Sequence, residues 1–268
     1  MNLPKITKKQ QEIIYLYSTY RFLNRLHIQQ FLNHKNKKRV NTWLPDLVTK
    51  HYLEKVPQPN TFASKTKPTI YHLGLNGIRL LKIQDAIPLD RIHNLYREKF
   101  KKASFIDRCQ LLADICLMLL EKNKSNAKNS YSFITQRAYE KEDSPFNFLT
   151  ELNPHLCFIK QTGRKKKYFL LEIFEETLPK YRRKKRIQTY IEFFEGYEWD
   201  ENMDEPFPVI LFVCPTKPLL ISAKRMTKRL LEDGQIEDIH MRFTTTDEVK
   251  EFGVTGEIWE EVEIEDEE

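Results

Sequence analysis

The chain has 268 residues, of which 40% are hydrophobic and 31% charged, and its formal net charge is +6. The length predicts about two domains, and the apolar content suffices for packed cores, which excludes a chain disordered throughout. No G-x-G-x-x-G or G-x-x-x-x-G-K-[S/T] pattern occurs, so dinucleotide-binding and P-loop phosphate sites have no support.

Three helices are predicted in the first fifty residues. Apolar residues recur near helical spacing from Ile6 to Tyr20, and Asn24 caps a second, shorter segment. The third helix begins after Asn36, and its apolar residues form one buried stripe. The stripe consists of Val40, Trp43, Leu44, Leu47 and Val48. Pro45 lacks an amide hydrogen, so we expect it to kink the third helix or end it early.

Two short strands are predicted next, over residues 52–56 and 69–74, and a Pro-, Ser- and Lys-rich connector separates them. Three helices followed by a β-hairpin is the element order of a winged helix-turn-helix. In that motif the third helix enters the major groove, and the hairpin loop is the wing. We therefore predict a winged-helix DNA-binding domain over residues 1–88. A winged helix that contacts only protein and an unrelated small helical domain are the alternatives.

Residues 89–124 are predicted to form one long connecting helix, because apolar residues recur at steps of three and four. Beyond it the pattern changes to β-β-β-α-β-α-β, which indicates a mixed α/β domain over residues 125–268. The predicted strands cover 131–139, 153–161, 167–174, 207–214 and 235–243, and the predicted helices cover 178–197 and 222–233. The fold class of the whole chain is therefore α+β.

Two stretches of sequence resemble known proteins. The run RVNTWLPDLVTKHYLEKV (39–56), followed by TIYHLGLNGIRLL (69–81), is similar to a run in bacterial winged-helix proteins. His51 stands at the turn position usually held by glycine, and Leu75 stands at a position usually held by threonine.

The second stretch resembles the PD-(D/E)xK restriction-endonuclease-like core. It combines a strand anchored by Pro154, a strand ending in Leu171-Glu172-Ile173, and a basic helix that contains Arg186-Ile187 and Tyr190. Together with the winged helix and the connecting helix, this core resembles the replication-relaxation family of bacterial plasmids and mobile elements. The resemblance covers most of the chain, and it implies a winged helix followed by an endonuclease-like domain.

The resemblance also implies a nuclease motif that is incomplete. A PD-(D/E)xK nuclease needs two carboxylates for a divalent cation and a lysine beside the attacking water. His155 stands in place of the first carboxylate, Glu172 is retained, and Phe174 stands where the lysine belongs. We therefore expect no catalytic residue, no metal site and no other cofactor. Relocated groups remain an alternative, with Lys184 or Lys185 for the lysine and Glu142, Asp143 or Glu151 for the acid.

The positive charge is unevenly distributed. Residues 1–100 carry 18 Lys and Arg against 6 Asp and Glu, and the block 160–186 carries 11 against 3. From Glu232 onward the balance reverses, with 15 acidic residues against 2 basic ones. Dense like charge is unfavourable unless an anion relieves it, so the basic regions predict a polyanionic partner. A solvated lysine-rich surface is the alternative, and the acidic tail Glu257–Glu268 is a second available anion.

We expect the partner to be double-stranded DNA. The contacts are expected from the polar face of the third helix, from the wing, and from two basic clusters in the second domain. The predicted DNA-binding residues are Lys37, Lys38, Arg39, Asn41, Thr42, Lys65, Lys67, Arg164, Lys165, Lys166, Lys167, Arg182, Arg183, Lys184 and Lys185.

Several other classes of site have no support in the sequence. The four cysteines form no C-x-x-C pair, so we expect buried free thiols. The histidines form no metal-ligand cluster, and no G-x-S-x-G elbow is present. No apolar run is long enough to span a bilayer, and the first residues lack the apolar region of a signal peptide. We therefore expect a cytoplasmic protein that does not bind membranes.

These observations predict a non-catalytic DNA-binding accessory protein. The resemblance implies a role in plasmid or mobile-element replication, or in DNA relaxation and mobilisation, with a replication or relaxase protein as a further partner. A winged-helix transcriptional regulator is the first alternative, and a metal-dependent PD-(D/E)xK nuclease is the second.

Overall fold

The computed structural model describes residues 3–58, 66–84, 86, 88–125, 128–139 and 143–263. The chain separates into two units, Met1–Leu117 and Met118–Glu268. Both units contain helices and strands, so the predicted α+β class is confirmed. The boundary between the units falls within a single long helix, Ala103–Ser125.

The first unit consists of six helices, one 3₁₀ turn and three short strands within the described residues. In chain order these are α1 Lys8–Tyr20, β1 Leu23–Asn24, α2 Arg25–Phe31, α3 Lys37–Thr49, β2 Leu53–Lys55, β3 Ile70–Leu73, α4 Leu75–Ile83, α5 Leu89–Leu95, the 3₁₀ turn Glu98–Phe100, and α6 Ala103–Ser125. Side-chain caps begin the first three helices. The hydroxyl of Thr7 accepts from Gln10 N, and the amide oxygens of Asn24 and Asn36 accept from Leu26 N and Lys38 N.

The strands of the first unit form one antiparallel sheet in the order β1-β3-β2. Leu53 pairs with Leu73, which confirms the predicted hairpin, and Leu23 pairs with Tyr71 on the other edge. Strand β1 was not predicted, because a two-residue strand carries no periodicity that a sequence pattern could show.

Helix α3 passes through Pro45 and ends four residues later at Thr49, so the prediction of an early end is wrong. Leu44 and Leu47, which flank the proline, are both buried. Their burial holds the last turn of α3 in the core, and this packing offsets the backbone hydrogen bond that the proline removes.

The prediction of one connecting helix over 89–124 is also wrong. Helix α5 ends at Leu95, and the 3₁₀ turn separates it from α6. At this interruption the buried carboxylate of Glu98 lies 2.6 Å from Arg21 Nε. This ion pair was not predicted. Helix α6 has 23 residues, yet none of the described helices is long and apolar enough to cross a bilayer.

The second unit is built around a six-stranded sheet. Its elements after α6 are β4 Asn129–Thr135, α7 Gln136–Tyr139, α8 Leu149–Leu152, β5 Leu156–Thr162, β6 Lys165–Ile173, α9 Lys180–Glu195, α10 Glu198–Asn202, β7 Val209–Cys214, α11 Lys217–Gly234, β8 Met241–Thr245, α12 Thr246–Phe252 and β9 Glu260–Glu261. The strand order is β4-β5-β6-β7-β8-β9.

The sheet contains both antiparallel and parallel strand pairs. Strands β4, β5 and β6 are antiparallel neighbours, β6, β7 and β8 run parallel, and β9 returns antiparallel along β8. Two parallel steps require crossovers, and α9 and α11 provide them. Apolar side chains of both helices join one face of the sheet in a core that includes Ile187, Leu220 and Phe212.

Several boundaries differ from the predictions. Strand β8 begins at Met241, whereas a strand over 235–243 was predicted, and the left-handed residue that ends α11 is Gln235 rather than Gly234. The short helices α8 and α10 were not predicted, because four or five residues are too few for a helical period.

All four cysteines are buried free thiols, as predicted. Burial raises the pKa of Cys116 and of Cys214 to about 12. Because the thiolate is the reactive form of cysteine, these residues are inert parts of the two cores.

Gly77 tests the packing of α4 behind the hairpin. A Cβ atom at this position would lie 2.4 Å from the carbonyl oxygen of Tyr52, which is backbone and cannot move aside cheaply. We expect Gly77→Ala to lower the free energy of unfolding by about 1–3 kcal/mol, although alanine normally favours a helix. Gly234→Ala is the control, because its Cβ meets only the flexible side chain of Ile236. Equal denaturation midpoints for the two variants would contradict this packing.

Candidate nucleic-acid interface

The polar face of α3 is an exposed basic surface of the first unit. Lys37, Lys38, Arg39, Asn41 and Thr42 are all exposed. On the opposite side, Val40, Leu44 and Leu47 are buried, whereas Trp43 and Val48 of the predicted stripe are only half-buried. The helix therefore fixes its orientation through its apolar stripe and presents the predicted contact residues to solvent.

The electrostatics of α3 favour an anion at its start. Its first turn contains three cationic side chains and no acidic one. The amide groups at the start of a helix carry partial positive charge, so cations there are unfavourable and an anion is favourable. A phosphate beside this turn would relieve both effects.

The connector between β2 and β3 is described only in part. Lys67 is exposed, whereas Lys65 lies outside the described residues. The loop begins after β2 and ends at β3. The predicted wing residue Lys67 therefore lies just before β3, at the loop end of the β2–β3 hairpin.

The first basic cluster of the second unit surrounds the β5–β6 hairpin. Arg164, Lys165, Lys166 and Lys167 are exposed. The three lysines begin strand β6, which therefore starts before the predicted strand 167–174, because the turn is confined to Gly163 and Arg164. Cross-strand pairing sets Lys167 directly opposite Lys160, a like-charge pair that is unfavourable without a neutralising anion.

The second basic cluster opens α9. Arg182, Lys184 and Lys185 are exposed, but Arg183 is half-buried and donates to the carbonyl oxygen of Leu178. Arg183 thus serves the start of its own helix, and it is a weaker candidate for DNA contact than its neighbours.

The residues of the incomplete nuclease motif converge on one buried cluster. The carboxylate of Glu172 projects from β6, and the guanidinium of Arg186 on α9 lies 2.7 Å from its Oε2 atom. The hydroxyl of Tyr190, one turn further along α9, donates to the same oxygen at 3.0 Å. The sequence resemblance had singled out all three residues, and the structure brings them together.

The charge states in this cluster follow from its contacts. Burial opposes the charged form of Arg186, but Tyr190 and the Glu172 carboxylate raise the pKa of this guanidinium above its ordinary value. Burial raises the pKa of Tyr190 well above its ordinary value, and the Glu172 carboxylate adds to this rise. The pair is therefore a carboxylate neutralised by a guanidinium, with a protonated phenol as an additional donor.

His155 does not replace the missing carboxylate. Its Nδ1 atom accepts a hydrogen bond from the backbone N–H of Ile173 at 3.0 Å. This bond assigns the ring proton to Nε2 and leaves Nδ1 as an acceptor. The Oε1 atom of Glu172 lies 3.5 Å from this Nδ1 atom, and both atoms are acceptors. The role of His155 is therefore to support the backbone of β6.

The divalent cation that the resemblance to endonucleases implies does not fit these residues. The one carboxylate is bound by a guanidinium, and Phe174 is buried against Phe212 at a centroid distance of 5.3 Å. Within the described residues no three His, Cys, Asp or Glu side chains group so that they could hold a metal. Asp143 and Glu151 are exposed, and Glu142 lies outside the described residues.

Sequence reasoning missed the backbone part of the cluster. Arg186 also donates to the carbonyl oxygens of Leu152 and Asn153, at 2.6 and 3.0 Å. Asn153 ends α8 in the left-handed conformation, with φ of 48°. The Asn153-Pro154 pair was the available signal, because Asn-Pro favours a turn.

The replication-relaxation family model matches residues 16–210 of the chain, which include α3, both basic clusters and the Glu172 cluster. The chain belongs to the replication-relaxation family. The resemblance seen in the sequence is thereby confirmed at the level of the family. A search of curated proteins gave no match. Helix α11 and strands β8 and β9 lie beyond the matched residues, so the second unit of this replication-relaxation protein extends past the family match.

The Arg186–Glu172 pair is open to a direct stability test. We expect Arg186→Met to lower the free energy of unfolding by about 3–5 kcal/mol, because it leaves a buried carboxylate without its counter-charge. The double variant Arg186→Met, Glu172→Gln should recover part of this loss. Lys185→Met is the control, since Lys185 is an exposed neighbour whose change should cost under about 0.5 kcal/mol. Chemical denaturation measures all three, and equal losses for Arg186→Met and Lys185→Met would disprove the assignment.

Proposed function

We propose that the protein is a non-catalytic duplex-DNA-binding factor that acts in the replication or relaxation of plasmid or mobile-element DNA. The observation that carries the proposal is α3, whose apolar stripe is buried while five polar or basic side chains face solvent. Family membership supplies the context of replication and relaxation.

The architecture of the first unit supports a winged helix-turn-helix. Three helices precede a hairpin, and β1 adds a third strand beside β3. In this motif the third helix enters the major groove and the hairpin loop contacts the backbone. Lys37, Lys38 and Arg39 would then meet phosphates, and Asn41 and Thr42 are placed for base edges or phosphates.

The second unit supports a role in backbone contact. Its β-β-β-α-β order and mixed sheet agree with the endonuclease-like resemblance. The cluster Arg164–Lys167 is exposed along one hairpin, which suits sequence-independent phosphate contact. Arg182 and Lys185 on α9 are exposed and add to this expectation.

The buried cluster favours binding over cleavage. Glu172 is the carboxylate retained from the nuclease motif, and its charge is already balanced by Arg186. A catalytic carboxylate must be able to exchange partners for a cation and water, whereas this one is fixed by two donors at 2.7 and 3.0 Å. We infer that the endonuclease-like core serves as a binding scaffold.

The α3 surface is tested by charge reversal. The variant Lys37→Glu, Lys38→Glu, Arg39→Glu should lose measurable affinity for duplex DNA, because three attractive groups become repulsive, while its thermal midpoint stays nearly unchanged. A matched variant reverses three exposed lysines elsewhere, Lys8, Lys82 and Lys102, with the same total change of charge. Gel-shift titration on the element's own DNA compares them. Unaltered binding by the α3 variant, or equal losses in both, would overturn the winged-helix proposal.

The absence of cleavage is tested on supercoiled plasmid with Mg²⁺ or Mn²⁺. We expect the plasmid to remain supercoiled at protein concentrations that saturate binding. Metal-dependent nicking by the wild-type protein that disappears in Glu172→Gln would contradict the non-catalytic assignment and would establish the nuclease alternative.

A further inference from the structure

Helices α9 and α11 of the second unit border an open groove of about 640 Å³. Its apolar floor includes Ile221, Met226 and Leu230 of α11. Ile221 is 48% exposed, so its apolar surface is available to a partner. The volume falls within the range of about 300–1,000 Å³ that is typical of binding clefts.

Four cations line the same groove. Lys180 and Lys184 project from the first turns of α9, and Arg225 and Arg229 project from α11. The spacing of four residues on each helix puts each pair on one face. The lining also includes one carboxylate, Asp233, near the C-terminal end of α11.

Neighbouring cations of α11 differ in how their charge is balanced. Lys217 and Lys224 both pair with Glu260, and Lys228 pairs with Glu232. Among the residues that the structure describes, no ion pair involves any of the four cations in the groove. Within that part of the chain, the groove lining therefore keeps its positive charge, whereas these three lysines of the same helix are each paired.

We propose that this groove docks an acidic amphipathic helix of a partner protein. A helix of that kind would lay its apolar face on Ile221, Met226 and Leu230, and its carboxylates would meet the four groove cations, which have no ion pair within the described residues. A DNA backbone would satisfy the cations but would leave the apolar floor without a partner, so the combination favours a protein segment. The pairing of Glu260 with Lys217 and Lys224 shows that neighbouring cations of α11 already bind an acidic side chain. This proposal goes beyond DNA binding and does not depend on it.

The probe is a fluorescein-labelled synthetic helix of about five turns, with leucines at i, i+3, i+4 and i+7 and glutamates on both flanks. A scrambled peptide of the same composition is the reference. Fluorescence anisotropy with the full-length protein should show affinity for the amphipathic peptide that is at least about tenfold tighter than for the scrambled one.

Two groove variants locate the binding site. The affinity for the amphipathic peptide should fall by about tenfold or more in the double variant Arg225→Glu, Arg229→Glu, and also in the single variant Ile221→Glu. Their matched controls are Lys122→Glu with Lys124→Glu, and Ile83→Glu, which make the same changes at exposed positions outside the groove. The α3 charge-reversal variant should bind the peptide normally, which separates this proposal from the proposed function.

The proposal is overturned if the scrambled peptide binds equally well, or if the groove variants leave peptide affinity unchanged. It is also overturned if the peptide fails to bind and the double variant Arg225→Glu, Arg229→Glu has lost affinity for duplex DNA, because the groove would then be a nucleic-acid surface. Circular dichroism of each variant confirms that the loss is not one of folding.

Discussion

The second unit depends on one buried ion pair, between Glu172 on the central strand β6 and Arg186 on α9. The pair joins the sheet to the helix that covers it, and Arg186 extends the connection to the carbonyl oxygens at the end of α8. A buried charge is tolerated only when its partner and its hydrogen bonds are in place. The pair thus ties the sheet of the second unit to α9 and to the end of α8, and it occupies the carboxylate that the resemblance to endonucleases would assign to a cation.

The exposed positive charge of the protein lies on separate surfaces. Basic side chains are concentrated on the first turn of α3, on the β5–β6 hairpin and at the start of α9. The three surfaces differ in what surrounds them. The cations of α3 lie on the exposed side of a helix whose apolar face is buried. Those of the hairpin line a strand. Those between α9 and α11 border an apolar floor. We therefore propose DNA as the partner of α3, of the hairpin and of Arg182 and Lys185 on α9, and a protein segment as the partner of the groove, because only the groove adds an apolar floor.

Sequence patterns predicted the elements that have a clear period. Periodicity predicted the three N-terminal helices, the hairpin and the apolar strand VILFVC. The resemblance singled out Glu172, Arg186 and Tyr190, but only the structure shows that they converge on one oxygen. The break after Leu95 was missed, because it depends on Glu98 reaching Arg21, a contact between residues 77 positions apart. The grouping of the four groove cations was missed for the same reason, because it arises only when α9 and α11 lie side by side.

The salt dependence of duplex binding tests the central claim most directly. If the basic surfaces of both units contact phosphates, log affinity should fall steeply with log salt concentration, by about 0.9 for each phosphate neutralised. Replacing Arg164, Lys165, Lys166 and Lys167 by alanine in the full-length protein should make this slope shallower, because backbone contacts are lost while α3 is intact. A slope close to zero for the wild-type protein would contradict the account of a DNA-binding factor. An identical slope for the alanine variant would remove the second unit from the DNA interface.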